Sequence, residues 1–279
     1  MKVLILGKNS YLGKHIGLAL EKESHDVFYL THGNISDAET NVFTFDKLEE
    51  VKVNFDIIIN CAVSYGKNGE NCCDMIGANI IYPLKVLEWA SKHNVRYFIN
   101  TATSITSLVN GYTLSKNQFS EWGKYYSEHN PIQFINIVLE HFLGANCSDN
   151  NFISMLVHKM SENVESIDLT SGMQLRDFIY IDDVVEAYLC VIHHLYMIYD
   201  RYFEIALGSG VPYRIREVCE LIKKNLNSKT ELKFGYLPYR EHEIMYSCAD
   251  NTQLRKWGWL PKVTFEDAIR LIIEKENLK

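Results

Sequence analysis

The chain has 279 residues, of which 47% are hydrophobic and 23% charged, the balance of an ordinary globular protein. Its formal net charge of −7 argues against a nucleic-acid partner, although a local basic site for a phosphorylated small molecule is compatible with it. No apolar run approaches the roughly 18 residues of a membrane span, and no signal peptide is recognisable, so we expect a cytoplasmic protein without a membrane partner. The 7 cysteines show no metal-ligand spacing, so no metal is expected.

The N-terminus combines a strand, a glycine turn and a helix. Residues 2–6 form a short apolar run that stops at Gly7, and an amphipathic pattern follows to about Ser24. Such a turn presents backbone N–H groups and the positive end of a helix dipole to a phosphate. Ser10 stands where a third glycine is usual, but it is small enough for close approach of a pyrophosphate. A purely structural turn is the alternative. The predicted dinucleotide-binding residues here are Gly7, Ser10, Tyr11, Leu12 and Gly13.

The next strand carries the evidence on the cofactor type. Residues 25–30 read as this strand, and Thr31 and His32 follow where an enzyme that prefers NAD commonly has an acidic residue for the ribose 2′-hydroxyl. Without that carboxylate nothing repels a 2′-phosphate. We therefore predict NADPH, with Lys8, Thr31 and His32 near the phosphate, while NAD stays possible because no arginine accompanies them.

Two further strands supply more candidate cofactor contacts. Residues 42–45 read as the third strand, with Asp46 at its end, where it could meet the adenine amino group. Residues 55–60 read as the fourth, followed by Cys61 and Ala62, which we also place at the cofactor. In an open parallel sheet the carboxyl ends of the strands form the edge at which ligands bind.

A Tyr-x-x-x-Lys pattern carries the candidate chemistry. Tyr112 and Lys116 are four residues apart, so on a helix they share a face, and the ammonium is expected to lower the pKa of the phenol toward neutrality. Thr103 follows a strand at residues 95–100. The pattern alone is weak because it occurs often by chance. The alternative is an ordinary exposed helix start.

The order of elements predicts the fold. Strands alternate with helices, including those at residues 71–93 and 112–128, up to a sixth strand at 132–139. This predicts an α/β fold with a Rossmann-like, doubly wound parallel sheet and a smaller C-terminal α+β substrate lobe. We predict a dinucleotide-binding domain at residues 1–145, whose sheet could take a later strand from residues 165–205, and a smaller lobe at 146–279.

Together these motifs resemble the extended short-chain dehydrogenase/reductase superfamily, in its nucleotide-sugar epimerase, dehydratase and reductase branch. The resemblance covers nearly the whole chain and includes Arg176-Asp-Phe-Ile-Tyr-Ile-Asp-Asp183 and Arg240-Glu-His-Glu243. The stretches 139–144, 169–177 and 245–250 are similar to the family of bacterial CDP-abequose synthases. That family reduces the 4-keto group of a CDP-linked 3,6-dideoxyhexose with NADPH for O-antigen assembly.

The resemblance implies roles for the site residues. Tyr112 would be the proton donor, Lys116 would hold the ribose hydroxyls, and Thr103 would bind the sugar oxygen. Arg176 and Arg240, in the lobe that would mainly bind the nucleotide sugar, would bind the substrate diphosphate, since a guanidinium matches phosphate oxygens bidentately. The alternative for Arg176 is a structural ion pair with Asp177 or Asp182. His141 occupies the place of a usual asparagine and either orients the sugar or is a core histidine satisfied by Glu140.

Two rival functions remain open, and a homodimer is implied. A nucleotide-sugar 4-epimerase that retains NAD would use the same threonine, tyrosine and lysine. A catalytically silent dinucleotide sensor would need none of them. In related proteins the helices corresponding to residues 71–93 and 112–128 often form a four-helix dimer interface. The nucleotide and the sugar are not determined by these motifs.

Overall fold

The computed structural model describes residues 1–31, 41–67, 69–107, 109–148 and 151–278. Its strands are β1 Lys2–Leu6, β2 Asp26–Thr31, β3 Val42–Thr44, β4 Ile57–Asn60, β5 Tyr97–Thr103, β6 Gln133–Leu139, β7 His141–Leu143, β8 Ser166–Leu169, β9 Leu175–Tyr180, β10 Tyr202–Leu207, β11 Pro212–Arg214 and β12 Glu231–Phe234. Its helices are α1 Tyr11–Lys22, α2 Cys72–Ile76, α3 Tyr82–Lys92, α4 Gly111–His129, α5 Phe152–Ser161, α6 Ile181–His193, α7 Ile215–Asn225, α8 Thr252–Lys256 and α9 Phe265–Lys275.

The chain divides into two compact units. Unit 1 consists of Met1–Val138 and Tyr188–Ile205, and unit 2 of Leu139–Ala187 and Ala206–Lys279. The domain division at residue 145 that the sequence suggested stays a prediction.

Unit 1 is built on a parallel sheet of seven strands in the order β10-β6-β5-β4-β1-β2-β3. The order reverses between β1 and β4, as in a doubly wound sheet, so the predicted fold class is confirmed. Four residues of β1 and all four of β4 are buried, because a parallel sheet covered by helices on both faces excludes water from its central strands.

An aromatic cluster fixes helix α4 against the sheet. Phe119 of α4 lies 6.1 Å from Phe98 of β5 and 5.9 Å from Phe134 of β6, measured between ring centroids. Gly123 admits the third ring, because a Cβ there would lie 2.1 Å from Phe134 Cζ. This packing sets the position of the α4 N-terminus, which carries Tyr112 and Lys116.

Buried amides cross four neighbouring strands of unit 1. Asn60 Nδ2 donates to Asn100 Oδ1 (2.9 Å), and Asn100 Nδ2 donates to Asn136 Oδ1 (2.8 Å). Asn136 Nδ2 then donates to Glu204 Oε2 (2.9 Å), while Asn60 Oδ1 accepts from Ala62 N (3.2 Å). We call these three asparagines and Glu204 the amide ladder. It links the exposed β10 edge to the loop after β4.

The helix predicted at residues 71–93 is confirmed over residues 72–92, and a π turn lies within it. The chain forms α2, then a π turn at Gly77–Ile81, then α3. The π turn directs Asn79 into the protein, where it is buried. Single π turns inside helices often occur at functional sites.

Unit 2 contains two small sheets, with strand orders β11-β9-β7 and β12-β8. Asp177 of β9 is fully buried, and its carboxylate accepts hydrogen bonds from the backbone N–H groups of Ser209, Gly210 and Ala249. These bonds tie β9 to two loops of the unit. They hold the start of β9, which carries Arg176.

Candidate active site

The loop between β1 and α1 packs directly on the chain that follows β4. Gly7 has φ 90°, and a Cβ there would lie 2.9 Å from Ala62 N, so only glycine fits. At Gly13 a Cβ would lie 2.6 Å from Ser10 Oγ and 2.8 Å from Gly7 O. The predicted residues Gly7, Ser10, Gly13 and Ala62 are therefore in one place.

Ser10 acts as the N-cap of α1. Its hydroxyl accepts the hydrogen bond of Gly13 N at 2.9 Å, so this N–H is already satisfied. Tyr11 and Leu12 are the first two residues of the helix, where backbone N–H groups have no acceptor within the helix. The first turn contains no acidic residue, so the dipole's positive end is not neutralised there.

The residues predicted to contact the adenosine half of the dinucleotide lie at or after the ends of β2 and β3. Thr31 is the last residue of β2 and is paired in register with Thr44 of β3. Asp46 is exposed and lies in a 3₁₀ turn at Phe45–Glu50, directly after β3. His32 lies outside the described residues.

Tyr112 and Thr103 form a hydrogen-bonded pair at the carboxyl end of β5. Thr103 is the last residue of this strand rather than the residue beyond it, and Tyr112 is the second residue of α4. Their hydroxyl groups are hydrogen-bonded, and Thr103 Oγ1 also accepts from Ile105 N at 3.3 Å. The Tyr112 phenol is therefore partly buried and hydrogen-bonded, and its role as a site residue stays a prediction.

The prediction that Lys116 lowers the pKa of Tyr112 is wrong. Burial raises the pKa of the Tyr112 phenol, and a charge on Tyr65 would raise it further. The hydrogen bond with Thr103 lowers that pKa, by less than burial raises it. Tyr112 is thus a neutral phenol at neutral pH and has a proton to give.

Lys116 is buried beside a thiol. Burial lowers the pKa of its ammonium to about 8, while the charge of the Cys61 thiolate would raise it. Burial in turn raises the pKa of Cys61 to about 12, so that thiol is protonated. Cys61 Sγ lies 3.9 Å from Thr101 Oγ1, whose hydroxyl is 2.7 Å from Tyr188 OH.

Arg176 in unit 2 is bound to a carboxylate other than those expected. Its Nη2 donates to Glu243 Oε1 at 2.6 Å, and its Nη1 donates to Leu175 O at 2.9 Å. The suggested structural pairing with Asp177 is wrong, since Asp177 accepts from backbone groups instead. Arg240 is exposed and begins the turn that ends at Glu243, whose N–H donates to Arg240 O at 3.1 Å.

Glu140 and His141 lie beside this pair in unit 2. The Glu140 side chain is buried, and its Oε1 accepts from Ser247 Oγ at 2.6 Å. Glu140 Oε2 lies 3.5 Å from Nδ1 of His141, whose side chain is about one-third exposed. The charge of Glu140 also raises the pKa of Arg176, which burial lowers. A carboxylate beside His141 is compatible with both roles that the sequence left open for it.

Comparison with known proteins gives consistent matches. Residues 3–202 match the model of the NAD dependent epimerase/dehydratase family. The chain belongs to this family. The CDP-abequose synthase of Salmonella typhimurium (strain LT2) is 29% identical over 98% of this chain and 97% of its own, and that of Salmonella muenchen is 30% identical over 99% and 98%. The solved UDP-glucose 4-epimerase of Thermotoga maritima, with UDP-glucose, has a TM-score of 0.82 at 18% identity and covers 100% of both chains. The predicted resemblance is confirmed.

A nicotinamide dinucleotide, which the family's description implies, fits the residues of unit 1. The first turn of α1 carries no acidic residue, and Lys116 is a buried cation with no carboxylate among the causes of its shifted pKa. A ligand with phosphate and hydroxyl groups would satisfy both the helix N-terminus and the buried ammonium. Among the described residues no group of three His, Cys, Asp or Glu side chains could hold a metal ion, and no helix has the length and apolarity to cross a membrane.

Sequence reasoning missed a network of polar side chains that holds the backbone at Tyr112. Asn79 Nδ2 donates to Ser115 Oγ (2.9 Å) and to Ser64 O (2.8 Å), while its Oδ1 accepts from Ser64 N (2.8 Å). Ser115 Oγ in turn donates to Tyr112 O at 2.8 Å. The only sequence signal was an asparagine inside an otherwise apolar helix pattern, because the π turn that directs it inward has no recognisable motif.

Proposed function

We propose that the protein reduces the 4-keto group of a nucleotide-linked 4-keto-deoxyhexose with NADPH. The proposed substrate is CDP-4-dehydro-3,6-dideoxyglucose or a close analogue, the product CDP-abequose or its analogue, and the role O-antigen biosynthesis. The family and the relatives indicate a nucleotide-sugar-modifying enzyme with a nicotinamide dinucleotide. The near full-length similarity to two CDP-abequose synthases supports the finer choice.

One observation carries the reaction type: a neutral phenol, hydrogen-bonded to Thr103, one turn before a buried lysine. When bound, the reduced nicotinamide supplies the hydride that adds to C4 of the ketone. Tyr112 gives its phenolic proton to the oxygen that becomes the alcohol. Thr103 hydrogen-bonds the same oxygen and holds the Tyr112 hydroxyl in line with it. Lys116 would hold the ribose hydroxyls of the dinucleotide.

The remaining site residues bind and orient in this proposal. Gly7, Ser10, Tyr11, Leu12 and Gly13 hold the pyrophosphate, with Cys61 and Ala62 beside them. Thr31 and His32 bind the 2′-phosphate, and Asp46 accepts a hydrogen bond from the adenine amino group. NADPH is preferred because Thr31, not a carboxylate, ends β2. Arg176, Arg240 and His141 bind the diphosphate and the sugar.

The decisive experiment is NADPH consumption with CDP-, dTDP-, GDP- and UDP-linked 4-keto sugars, with NMR of the product. We expect stoichiometric oxidation of NADPH with the CDP sugar. Tyr112→Phe should lower turnover by about 10²–10⁴-fold, because the proton donor is removed, while NADPH still binds. A matched control is Tyr199→Phe, at an 89% exposed tyrosine of unit 1, which should keep wild-type turnover.

The same experiment separates the rivals. An epimerase would retain NAD through purification and interconvert nucleotide sugars without added reductant. A sensor would bind the dinucleotide and turn over none of the sugars. Absence of NADPH consumption with every sugar would refute the reductase proposal, as would near wild-type turnover of Tyr112→Phe.

We also propose a homodimer through the helical segment at residues 71–93 and helix α4. Large apolar side chains are exposed on the packed elements α2, the π turn and α4, which we call the α2–α4 apolar patch. Its members are Ile76, Ile81, Leu114, Trp122 and Tyr125. Several large exposed apolar side chains on elements that pack together are typical of a protein interface.

A further inference from the structure

Tyr65 stands beside the proton donor and has no role in the mechanism above. It follows β4 by five residues, on the loop that leaves the carboxyl edge of the sheet. Its ring centroid lies 5.0 Å from that of Tyr112, with 42° between the ring planes. The Tyr65 side chain is nevertheless 44% exposed. One part of the ring thus covers Tyr112, and another part is open to solvent or to a ligand.

The position of Tyr65 is fixed by its neighbours on both sides. Ser64 is buried and bonded through its N–H and its carbonyl to the Asn79 amide, and its hydroxyl donates to Glu70 Oε2 at 2.8 Å. Gly66 has φ 65°, so the chain turns immediately after Tyr65. A side chain on a loop held in this way needs little further ordering to bind a ligand.

Met75 joins the two chain segments that carry the tyrosines. A Cβ at Gly66 would lie 3.3 Å from Met75 Sδ, and a Cβ at Gly111, directly before Tyr112, would lie 2.6 Å from Met75 Cε. The backbone at Gly66 and the backbone at Gly111 therefore both pack against the buried side chain of Met75. With the Asn79 network, this gives two independent supports for the pairing of Tyr65 with Tyr112.

The chemistry of an exposed tyrosine at this place suits a sugar. A tyrosine ring offers an apolar face and a polar tip, and a hexose offers C–H groups on its ring faces and hydroxyl groups at its edge. The two phenols are near enough that charge on one affects the other. A ketone oxygen that accepts the Tyr112 proton therefore brings its hexose within reach of Tyr65.

We propose that the ring of Tyr65 contacts the hexose of the nucleotide sugar next to the carbon that reacts. This inference rests on the proposed function in taking a nucleotide-linked hexose as the ligand. It assigns Tyr65 to recognition of the sugar, separate from the nucleotide and from the dinucleotide cofactor. The Tyr65 ring supplies the contact, so Tyr65→Phe retains most of it and Tyr65→Ala loses it.

The test compares a nucleoside diphosphate with its glucose derivative by calorimetry in the presence of NADP⁺. The pair is chosen from CDP, UDP, dTDP and GDP as the one that wild type binds most tightly. In wild type the glucose derivative should bind more tightly than the diphosphate. Tyr65→Ala should reduce that advantage about 3- to 10-fold, the size of one aromatic contact, with unchanged affinity for the diphosphate and for NADPH.

Controls keep this outcome separate from folding and from the reaction. Tyr65→Phe should stay within about twofold of wild type, and Tyr199→Ala, at an 89% exposed tyrosine of the same unit, should match wild type. With a 4-keto sugar, Tyr65→Ala should raise KM more than it lowers kcat. An unchanged ratio of the two affinities in a folded Tyr65→Ala variant would overturn the inference, as would equal affinities in wild type. Absence of NADPH consumption by wild type would refute the proposed reaction, while the affinity ratio would still decide the role of Tyr65.

Discussion

The amide ladder supplies a test of how unit 1 supports its loops. Asn100 is fully buried at the centre of the ladder, donating to Asn136 and accepting from Asn60. In Asn100→Leu both bonds are lost, with a side chain of similar size in their place. Asn136 Oδ1 keeps a donor, because Ser120 Oγ lies 3.2 Å away. Asn60 Nδ2 is left without its acceptor.

The expected cost follows from that single orphaned donor. A buried polar group that loses its partner costs about 1–3 kcal/mol, and burial of the leucine offsets part of it. We therefore expect the free energy of unfolding to fall by about 2 kcal/mol. Replacing both partners by apolar groups can be nearly neutral. The double variant Asn60→Leu/Asn100→Leu should thus lose at least about 1 kcal/mol less unfolding free energy than the sum of the losses in the two single variants.

Urea unfolding, followed by fluorescence and by circular dichroism, measures these differences. Glu204→Gln is the matched control at the exposed end of the ladder, because a glutamine carbonyl still accepts from Asn136 and Tyr202. It should change stability by less than about 0.5 kcal/mol. An Asn100→Leu variant as stable as wild type, or additive single effects, would refute the reasoning.

Three further predictions concern charge and assembly. The pKa of Lys116 is about 8 in the fold against 10.5 for the free side chain, so between these values the unfolded chain binds more protons at this group and its contribution to stability rises with pH. The raised pKa of Cys61 contributes in the opposite direction, so the test is a difference: the melting temperature of Lys116→Met minus that of wild type should fall from pH 8 to pH 10. Arg176→Met should lower the melting temperature, because the partly buried Glu243 loses its cation. Arg240→Met should weaken only the binding of a nucleoside diphosphate, because Arg240 is exposed. Thermal melts measure the first effect and calorimetry the second. Trp122→Glu should convert a dimer to a monomer in sedimentation experiments, and a monomeric wild type at micromolar concentration would contradict the proposed interface.

The strands and the glycine loop were predictable because each has a local cause. The apolar runs before Gly7 and Asn60 are those of buried parallel strands, and both formed at the expected places within two residues. Gly7 needs a positive φ and close approach to Ala62, which is what a glycine at the end of a first strand predicts. The doubly wound sheet followed from the alternation of such elements.

The electrostatics of the site were not predictable from spacing. The Tyr-x-x-x-Lys pattern predicts two side chains on one helix face, but the pKa of Tyr112 depends on how much protein surrounds it. Burial is the larger effect for both residues, and it moves their pKa values in opposite directions. In the same way Glu243 is 67 residues from Arg176 in the chain, so no local pattern indicates their ion pair.

The Arg176–Glu243 pair also bears on how a diphosphate would bind to unit 2. Around one buried guanidinium stand the carboxylates of Glu243 and Glu140, so the cluster has no net positive charge to offer a doubly charged anion. A diphosphate that takes the Arg176 donors must therefore replace Glu243, because a guanidinium bonded to both would gather like charges. Glu243 shares its turn with Arg240, and an exchange that moves this turn would change the position of both residues. The proposed binding of the diphosphate by Arg176 would thus include loss of the Arg176–Glu243 ion pair.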